Sequence, residues 1–296
     1  MDNRRFKKNT LDSHLRVKVY ITCQNKRRRQ NMNILTSFKG KTALVTGASS
    51  GIGMGFARTL AANGIDLVIT ARSEMKLQDL AQELKTAYGI NIYVIILDLA
   101  EANAVYKLTE YLRENRITVD ILINNAGFGK WAKFLDEPLT SYHQMLALNI
   151  NSLVTLTYLL LPAMLEKKQG LIINVASTAA FQPLPYIAIY GASKTFVLNF
   201  TEAIAGENLD SGVRFLALCP GNTATNFAQV ANADTDGMPV STVETVVDAA
   251  IWALGRNQLY CIPGKRNYFS AQFARIIPRF IMLKIVENMF RKRVVK

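Results

Sequence analysis

The sequence predicts an α/β protein, a single doubly wound domain with a mainly parallel sheet of about seven strands and helices on both faces. Three observations lead there. Short Val/Ile/Leu-rich runs alternate with amphipathic stretches from Lys41 onward. Those apolar runs are nearly continuous, which suits strands covered on both faces. A glycine-rich turn, Thr46-Gly47-Ala48-Ser49-Ser50-Gly51-Ile52-Gly53, stands between the first run and the first helix-like stretch. Right-handed crossovers between parallel strands then give a Rossmann arrangement.

The elements follow in order. Strand-like TALVT (42–46) leads through the glycine turn into an amphipathic helix that stops near Asn63-Gly64, a good C-terminal signal. A strand at 66–70, a helix at 74–87, a strand at 92–97 and a helix at 102–115 come next. A strand at 120–124 precedes one long helix, 139–167, whose apolar centre from Leu153 to Leu165 is too short to span a bilayer and reads as a buried helix. A strand at 171–176 precedes a helix at 187–210, and a strand at 213–219 follows. Ser241-x-x-Glu244 reads as a capping box opening another helix, and 259–263 as the last strand. The α/β domain thus spans 40–265.

The 296 residues carry a net charge of +13, unevenly distributed. Residues 1–39 hold 11 Lys/Arg and 2 acids, and residues 255–296 hold 10 Lys/Arg and 1 acid. Between them, 14 Lys/Arg face 19 acids, so the body is mildly acidic and the basicity sits at the ends. Residues 1–38 lack periodicity and read as a disordered basic arm, or as sequence upstream of a true start at Met32. A nucleic-acid role for that arm is the less favoured reading. Residues 266–296 form a basic amphipathic tail, interrupted at Pro278, that suits either an anionic membrane surface or packing on the body or a partner. Three cysteines without CxxC spacing fit a reducing, cytoplasmic setting, and no apolar leader is present near the N-terminus. No His/Cys/Asp cluster has metal-ligand spacing, so no metal is implied.

Glycines at 47, 51 and 53 between a strand and a helix permit a tight turn and close approach of backbone to a pyrophosphate at the helix N-terminus. Ser49, Ser50 and Ile52 complete that candidate phosphate loop. At the end of the second strand, an acid would hold the adenosine ribose hydroxyls and repel a 2′-phosphate. Here stand Ala71 and Arg72, so the sequence predicts NADP(H) over NAD(H), the alternative being that Arg72 is a solvated helix-start residue. Asp98 and Leu99 are placed to meet the adenine. Asn125, Ala126 and Gly127 follow the fourth strand, where small residues let backbone approach the cofactor; Asn125 could equally stabilise the sheet.

Ser177, Tyr190 and Lys194 form Ser-x12-Tyr-x3-Lys. The last two stand one helical turn apart and project from one face. Such a set can protonate a carbonyl oxygen or deprotonate an alcohol. Ser177 as a helix cap and Tyr190 as a packed core residue are the plainer readings. His143 reads as a surface or satisfied histidine.

TGASSGIG, NNAG, Ser-x12-Tyr-x3-Lys and Pro220-Gly221…Thr225 occur in that order. Together they resemble the short-chain dehydrogenase/reductase superfamily over residues 40–265, most closely an NADP-dependent branch that includes 3-oxoacyl and ketosteroid-type reductases. The resemblance implies that Tyr190 is the general acid/base, its phenol lowered from about 10 by Lys194 and the positive nicotinamide. It implies that Lys194 also holds the nicotinamide ribose and that Ser177 donates to the substrate oxygen. Asn149 matches the fourth catalytic position, with neighbouring Asn151 the alternative. Thr223 and Thr225, after Pro220 and Gly221, match positions that meet the carboxamide. The implied partners are a hydrophobic carbonyl or alcohol substrate and a second copy of the chain, in a homodimer or homotetramer paired through helices beside strand five. The substrate loop, Thr225 to Ser241, reads as small and polar with few anchors. Residues 128–131 and 181–186 would supply apolar walls. The functional expectation is reduction of a hydrophobic carbonyl, with a 3-oxoacyl thioester as the alternative substrate. An NADP(H)-binding regulator without turnover is the rival of another class.

Overall fold

Side chains alternate across a strand, so a continuous apolar run offers both sheet faces to helices. Seven such runs pair in parallel: β1 (Thr42–Thr46), β2 (Asp66–Ala71), β3 (Ile92–Ile96), β4 (Ile121–Asn124), β5 (Gly170–Val175), β6 (Val213–Leu218) and β7 (Tyr260–Cys261). The structure is a computed structural model and describes residues 32–294. Its helices are α1 (Met32–Thr36), α2 (Gly51–Ala62), α3 (Glu74–Tyr88), α4 (Ala104–Glu114), α5 (Leu139–Leu146), α6 (Ser152–Glu166), α7 (Ala188–Glu207), α8 (Phe227–Val230), α9 (Val243–Gly255), α10 (Lys265–Ile276) and α11 (Arg279–Val294).

The strand order is β3-β2-β1-β4-β5-β6-β7. Chain direction through the sheet therefore reverses between β1 and β4, which opens a crevice at their C-terminal ends. The glycine turn leaves β1 and Asn125-Ala126-Gly127 leaves β4, so both border that crevice. Strand alternation builds two cores. Ala43, Val45, Leu67, Ile69, Ile121 and Ile123 pack on α2, α3 and α9. Leu44, Val68, Leu122 and Ile172 pack on α4, α6 and α7. Each Val, Leu or Ile among them contributes about 1.5–3 kcal/mol through burial.

A buried polar line ties the central strands to the helices that carry the candidate catalytic residues. Asn124 Nδ2 donates to Asn174 Oδ1 at 2.9 Å and to Thr157 Oγ1 at 3.2 Å, and Asn174 Nδ2 donates to Thr201 Oγ1 at 2.9 Å. Thr157 is on α6 and Thr201 on α7, so a mismatched register would strand amides in the core. Cys219 and Cys261 are buried free thiols on adjacent strand ends, where burial pushes both thiols up, Cys261 to about 12.

Several boundaries differ from expectation for identifiable reasons. The long helix is interrupted by a π turn, Ala147–Asn151, whose one-residue excess does not disturb apolar periodicity enough to be read from sequence. The cap of α9 is Thr242, whose hydroxyl accepts from Thr245 N at 3.2 Å; Ser241 instead gives its backbone to Asn222 and Ala224. The last strand keeps two residues because β6 is its one partner and Pro263 has no N–H to extend the ladder. The basic arm ends earlier than residue 38, since Leu35 and Phe38 are buried against the sheet. The rest of that arm, with Cys23, lies outside the described residues. The tail folds as α10 and α11, separated at Ile277-Pro278.

Candidate active site

The glycine turn is shaped by contacts that leave no room for side chains. Gly47 and Gly51 have φ of +64° and +55°, the left-handed region that favours glycine. A Cβ on Gly53 would lie 2.4 Å from the Gly47 carbonyl oxygen, so α2 can start this close to β1 because residue 53 has no side chain. Asn125 Nδ2 donates to Thr46 O at 2.9 Å and to Gly47 O at 3.2 Å. Asn125 and Ala126 also donate backbone N–H to Thr46 Oγ1, at 2.9 and 3.0 Å. The Asn125 amide is thus committed to holding the turn, a sharper role than sheet support. Ser49, Ser50 and Ile52 are half-buried around the start of α2, with Ser50 in the cap position but making no side-chain cap bond. A helix N-terminus at a glycine turn favours a phosphate.

Beyond β2, Arg72 points largely into solvent, with its side chain 77% exposed and a 3.5 Å contact from Nη1 to Asp98 Oδ2. A pair that long and that exposed holds the guanidinium weakly. Asp98 Oδ1 accepts from Ala100 N at 3.0 Å. Leu99 turns its side chain into the core with Leu44, Val68 and Val105, so it can offer an adenine little beyond backbone.

The opposite wall comes from β6. Pro220 O accepts from Thr178 N at 2.9 Å, which fastens this loop to the segment carrying Ser177. Thr223 donates to Gly221 O and bridges to Ser241, while Thr225 lies against the glycine turn, 2.8 Å from where a Gly51 Cβ would stand. These contacts bring the Pro220-Gly221…Thr225 loop to the crevice where the sequence expects it.

The candidate chemical centre lies between β5 and α7. Ser177 precedes a 3-10 turn, Thr178–Phe181, and its hydroxyl accepts from Ala179 N at 3.1 Å, so the cap reading is part of its environment. Burial pushes the Tyr190 phenol up to about 12, and the nearby Ser177 hydroxyl pulls the other way without prevailing. Lys194 is buried, its Nζ donating to Val175 O at 2.7 Å and lying 5.8 Å from the Tyr190 ring centroid. Burial brings Lys194 down to about 8, still an ammonium at neutral pH. In the protein alone desolvation leads, opposed by Ser177; the lowering expected from Lys194 with the positive nicotinamide belongs to the cofactor-bound state. The phenol keeps its proton, which suits a proton donor.

Asn149 sits in the π turn with both its amide protons and one Oδ1 lone pair engaged. Its Nδ2 donates to Phe128 O at 2.9 Å and to Ser193 Oγ at 3.1 Å, and its Oδ1 accepts from Phe128 N at 3.1 Å. A Cβ on Gly127 would lie 2.9 Å from Asn149 Oδ1 and 3.4 Å from Lys194 Nζ. Asn149, Gly127 and Lys194 thus converge. Asn151 is exposed, and its backbone carbonyl accepts from Thr155 Oγ1 at 2.8 Å. His143 is exposed on α5.

Sequence reasoning missed the substrate-side packing. Phe227, the aromatic in an otherwise small loop, lies 5.3 Å from the Tyr190 ring. Met282, Val286 and Phe290 on α11 pack with Leu184, Ile187, Trp131, Tyr186 and Tyr190. Their i, i+4, i+8 spacing was the available signal. The loop after Thr225 is also better anchored than expected. Trp131 N donates to Ala231 O at 2.9 Å, Lys130 Nζ to Val230 O at 2.8 Å, and Arg293 to Asp234 O and Asp236 O at 2.7 and 3.0 Å.

The residues present fit a phosphorylated nicotinamide dinucleotide: a glycine turn at a helix N-terminus, a loosely held arginine at the ribose end, and a buried lysine beside the phenol. Fold and site define an oxidoreductase that interconverts carbonyl and hydroxyl groups. Residues 41–236 match the family model for short chain dehydrogenase, and the chain belongs to that family. The very-long-chain 3-oxoacyl-CoA reductase of Homo sapiens is 32% identical over 257 residues, 84% of this chain and 80% of that protein. The D-beta-hydroxybutyrate dehydrogenase of Cupriavidus necator is 35% identical over 204 residues, 68% of this chain and 79% of that one. Among solved structures, a short-chain dehydrogenase from Sphingobium yanoikuyae in complex with NADPH superposes with a TM-score of 0.73 at 32% identity, over 79% of this chain and 93% of that one.

Proposed function

We propose that the enzyme reduces the carbonyl of a hydrophobic substrate using NADPH, with Tyr190 giving the proton. The observation that carries this reading is the meeting of three side chains. Tyr190 and Lys194 stand one turn apart on α7, the Lys194 ammonium held at Val175 O and 5.8 Å from the phenol ring centroid, and Ser177 stands just beyond β5. Burial keeps the phenol protonated. A phenol in that state is a donor to a carbonyl oxygen as negative charge develops there. NADPH supplies the hydride. Ser177 steadies the developing alkoxide, and Lys194 holds the ribose hydroxyls with the ammonium protons not given to Val175 O. Asn149 fixes the Phe128 backbone and stands beside Lys194, in the position to organise a water for proton resupply. The glycine turn with Ser49, Ser50 and Ile52 receives the pyrophosphate, Arg72 the 2′-phosphate, and Asp98 with the Leu99 backbone the adenine. Ala126 and Gly127 leave room for the ring, and Thr223 and Thr225 meet its carboxamide.

The wall of Trp131, Leu184, Tyr186, Met282, Val286 and Phe290 supports an apolar substrate. A 3-oxoacyl thioester is the specific case favoured by likeness to the human reductase over most of both chains. The domain reading is a catalytic unit over 40–265 followed by the α10–α11 tail. Exposed Tyr158 and Leu159 on α6 and Phe196 on α7, helices flanking β5, support a homodimer or homotetramer. Buried free thiols support a cytoplasmic enzyme, with peripheral membrane contact through the tail.

The test is NADPH oxidation against ketones, aldehydes and 3-oxoacyl thioesters of increasing chain length. kcat/KM should rise with apolar length. An enzyme that binds NADPH but turns over none of the panel would support the regulator reading. Activity confined to short, polar carbonyls would contradict the hydrophobic assignment.

A further inference from the structure

We infer that the outer face of α10 and α11 docks on an anionic lipid bilayer. On α10, Phe269, Phe273 and Ile276 recur at i, i+4 and i+7 and so share one face. They are 54%, 60% and 81% exposed. Four residues after Ile276, α11 opens with Phe280, 64% exposed, and continues with exposed Ile281, Ile285 and Met289 at i, i+4 and i+8. Large apolar side chains at this density are unusual on a surface that meets only water.

Charge selects the occupant. Residues 265–294 contain Lys265, Arg266, Arg275, Arg279, Lys284, Arg291, Lys292 and Arg293 against one acid, Glu287, which Tyr186 and Arg291 hold. Asp234 and Asp236, the acids beside Ile285 and Met289, lie against Arg293. Lys265, Arg266, Arg275, Arg279 and Lys284 are all exposed beside the apolar stripes, the Arg275 guanidinium lying over the Phe181 and Tyr260 rings. The Lys284 ammonium lies 4.5 Å from the Phe280 ring centroid, so cation and aromatic form one exposed unit. A second copy of this face would bring like charges together. A bilayer with anionic headgroups offers an apolar interior and the opposite charge at once.

The inner face of α11 carries Met282, Val286 and Phe290, packed beside Tyr190. One helix, about 10 Å wide, therefore separates the lipid face from the substrate wall. Docking would hold the substrate side next to the membrane, where an apolar carbonyl compound partitions. The inference stands without the substrate reading, because binding to vesicles requires no turnover.

The experiment is flotation of the full chain with vesicles of phosphatidylcholine alone, or with about one third phosphatidylserine, at about 0.1 M and 0.5 M salt. A Phe269→Ser, Phe273→Ser, Phe280→Ser variant is compared; these side chains are exposed, and its thermal melt and NADPH binding report an intact fold. Wild type should float with the anionic vesicles, weaken at the higher salt, and lose at least about tenfold in partitioning in the triple variant. Absence of wild-type flotation overturns the inference. So does equal flotation with neutral vesicles, or a triple variant that floats like wild type. A triple variant that falls from dimer to monomer while wild type fails to float would assign the face to a second copy instead.

Discussion

Lys194 donates from its buried ammonium to the carbonyl of Val175 at 2.7 Å, the last residue of β5. That single bond pins the cation between the strand that delivers Ser177 and the helix that delivers Tyr190. Burial around it desolvates the ammonium, which brings it down to about 8 from an ordinary 10.5.

The shift has a stability consequence with a definite sign. Between about pH 8 and 10.5 the unfolded chain keeps the Lys194 proton that the folded chain has released, so this group makes stability rise with pH across that window. Below pH 8 both states are protonated and the burial penalty is fully present. Tyr190, Cys219 and Cys261 are raised and act in the opposite sense above their ordinary values of 10.0, 9.0 and 9.0. Comparing wild type with Lys194→Met in denaturant melts, both in a Cys219→Ala background because Cys219 and Lys194 feel each other's charge, cancels Tyr190 and Cys261. The stability difference should move toward wild type by about 1 kcal/mol per pH unit between 8 and 10, and a flat difference would contradict the desolvated ammonium.

Gly127→Ala should damage turnover more than folding. Its Cβ would press on Asn149 Oδ1 and Lys194 Nζ. A displacement of that kind at catalytic groups lowers kcat by about 10²-fold. Steady-state kinetics beside a thermal melt checks this. An unchanged kcat would mean that Asn149 and Lys194 do not act together.

Arg72→Ala should lower the preference for NADPH over NADH about tenfold, through KM for NADPH, because the 2′-phosphate loses one charge-assisted partner worth about 1.4 kcal/mol. KM for NADH should hardly move. An equal preference in wild type and variant would leave Arg72 as the solvated residue that its 3.5 Å contact to Asp98 also permits.

Much of the fold was legible because each strand is short, apolar and followed by a helix with a clear stop. The glycine turn and the Ser177, Tyr190 and Lys194 spacing were legible because local geometry demands fixed intervals. The π turn around Asn149 was hidden, since one extra residue leaves Leu146, Leu153 and Leu156 still reading as one apolar stripe. Thr242 was hidden behind Ser241 because Glu244 stands at the capping-box interval from Ser241, and backbone pairing decides which of the two caps. The α11 wall was hidden for a different reason. Both its faces are apolar, and sequence alone did not tell which one turns toward Tyr190 and which toward solvent. The burial that raises Tyr190 in the protein alone was hidden, because a lysine one turn away is visible in sequence and desolvation is not.

The most direct measurement is turnover and NADPH binding of Tyr190→Phe on whichever carbonyl the panel identifies. Removing the phenolic hydroxyl removes the proton donor but leaves the glycine turn, Arg72 and Lys194 in place. NADPH affinity should stay within about twofold, while kcat falls by about 10²–10⁴-fold. A variant that keeps more than about half of the wild-type rate would contradict the assignment of proton transfer to Tyr190.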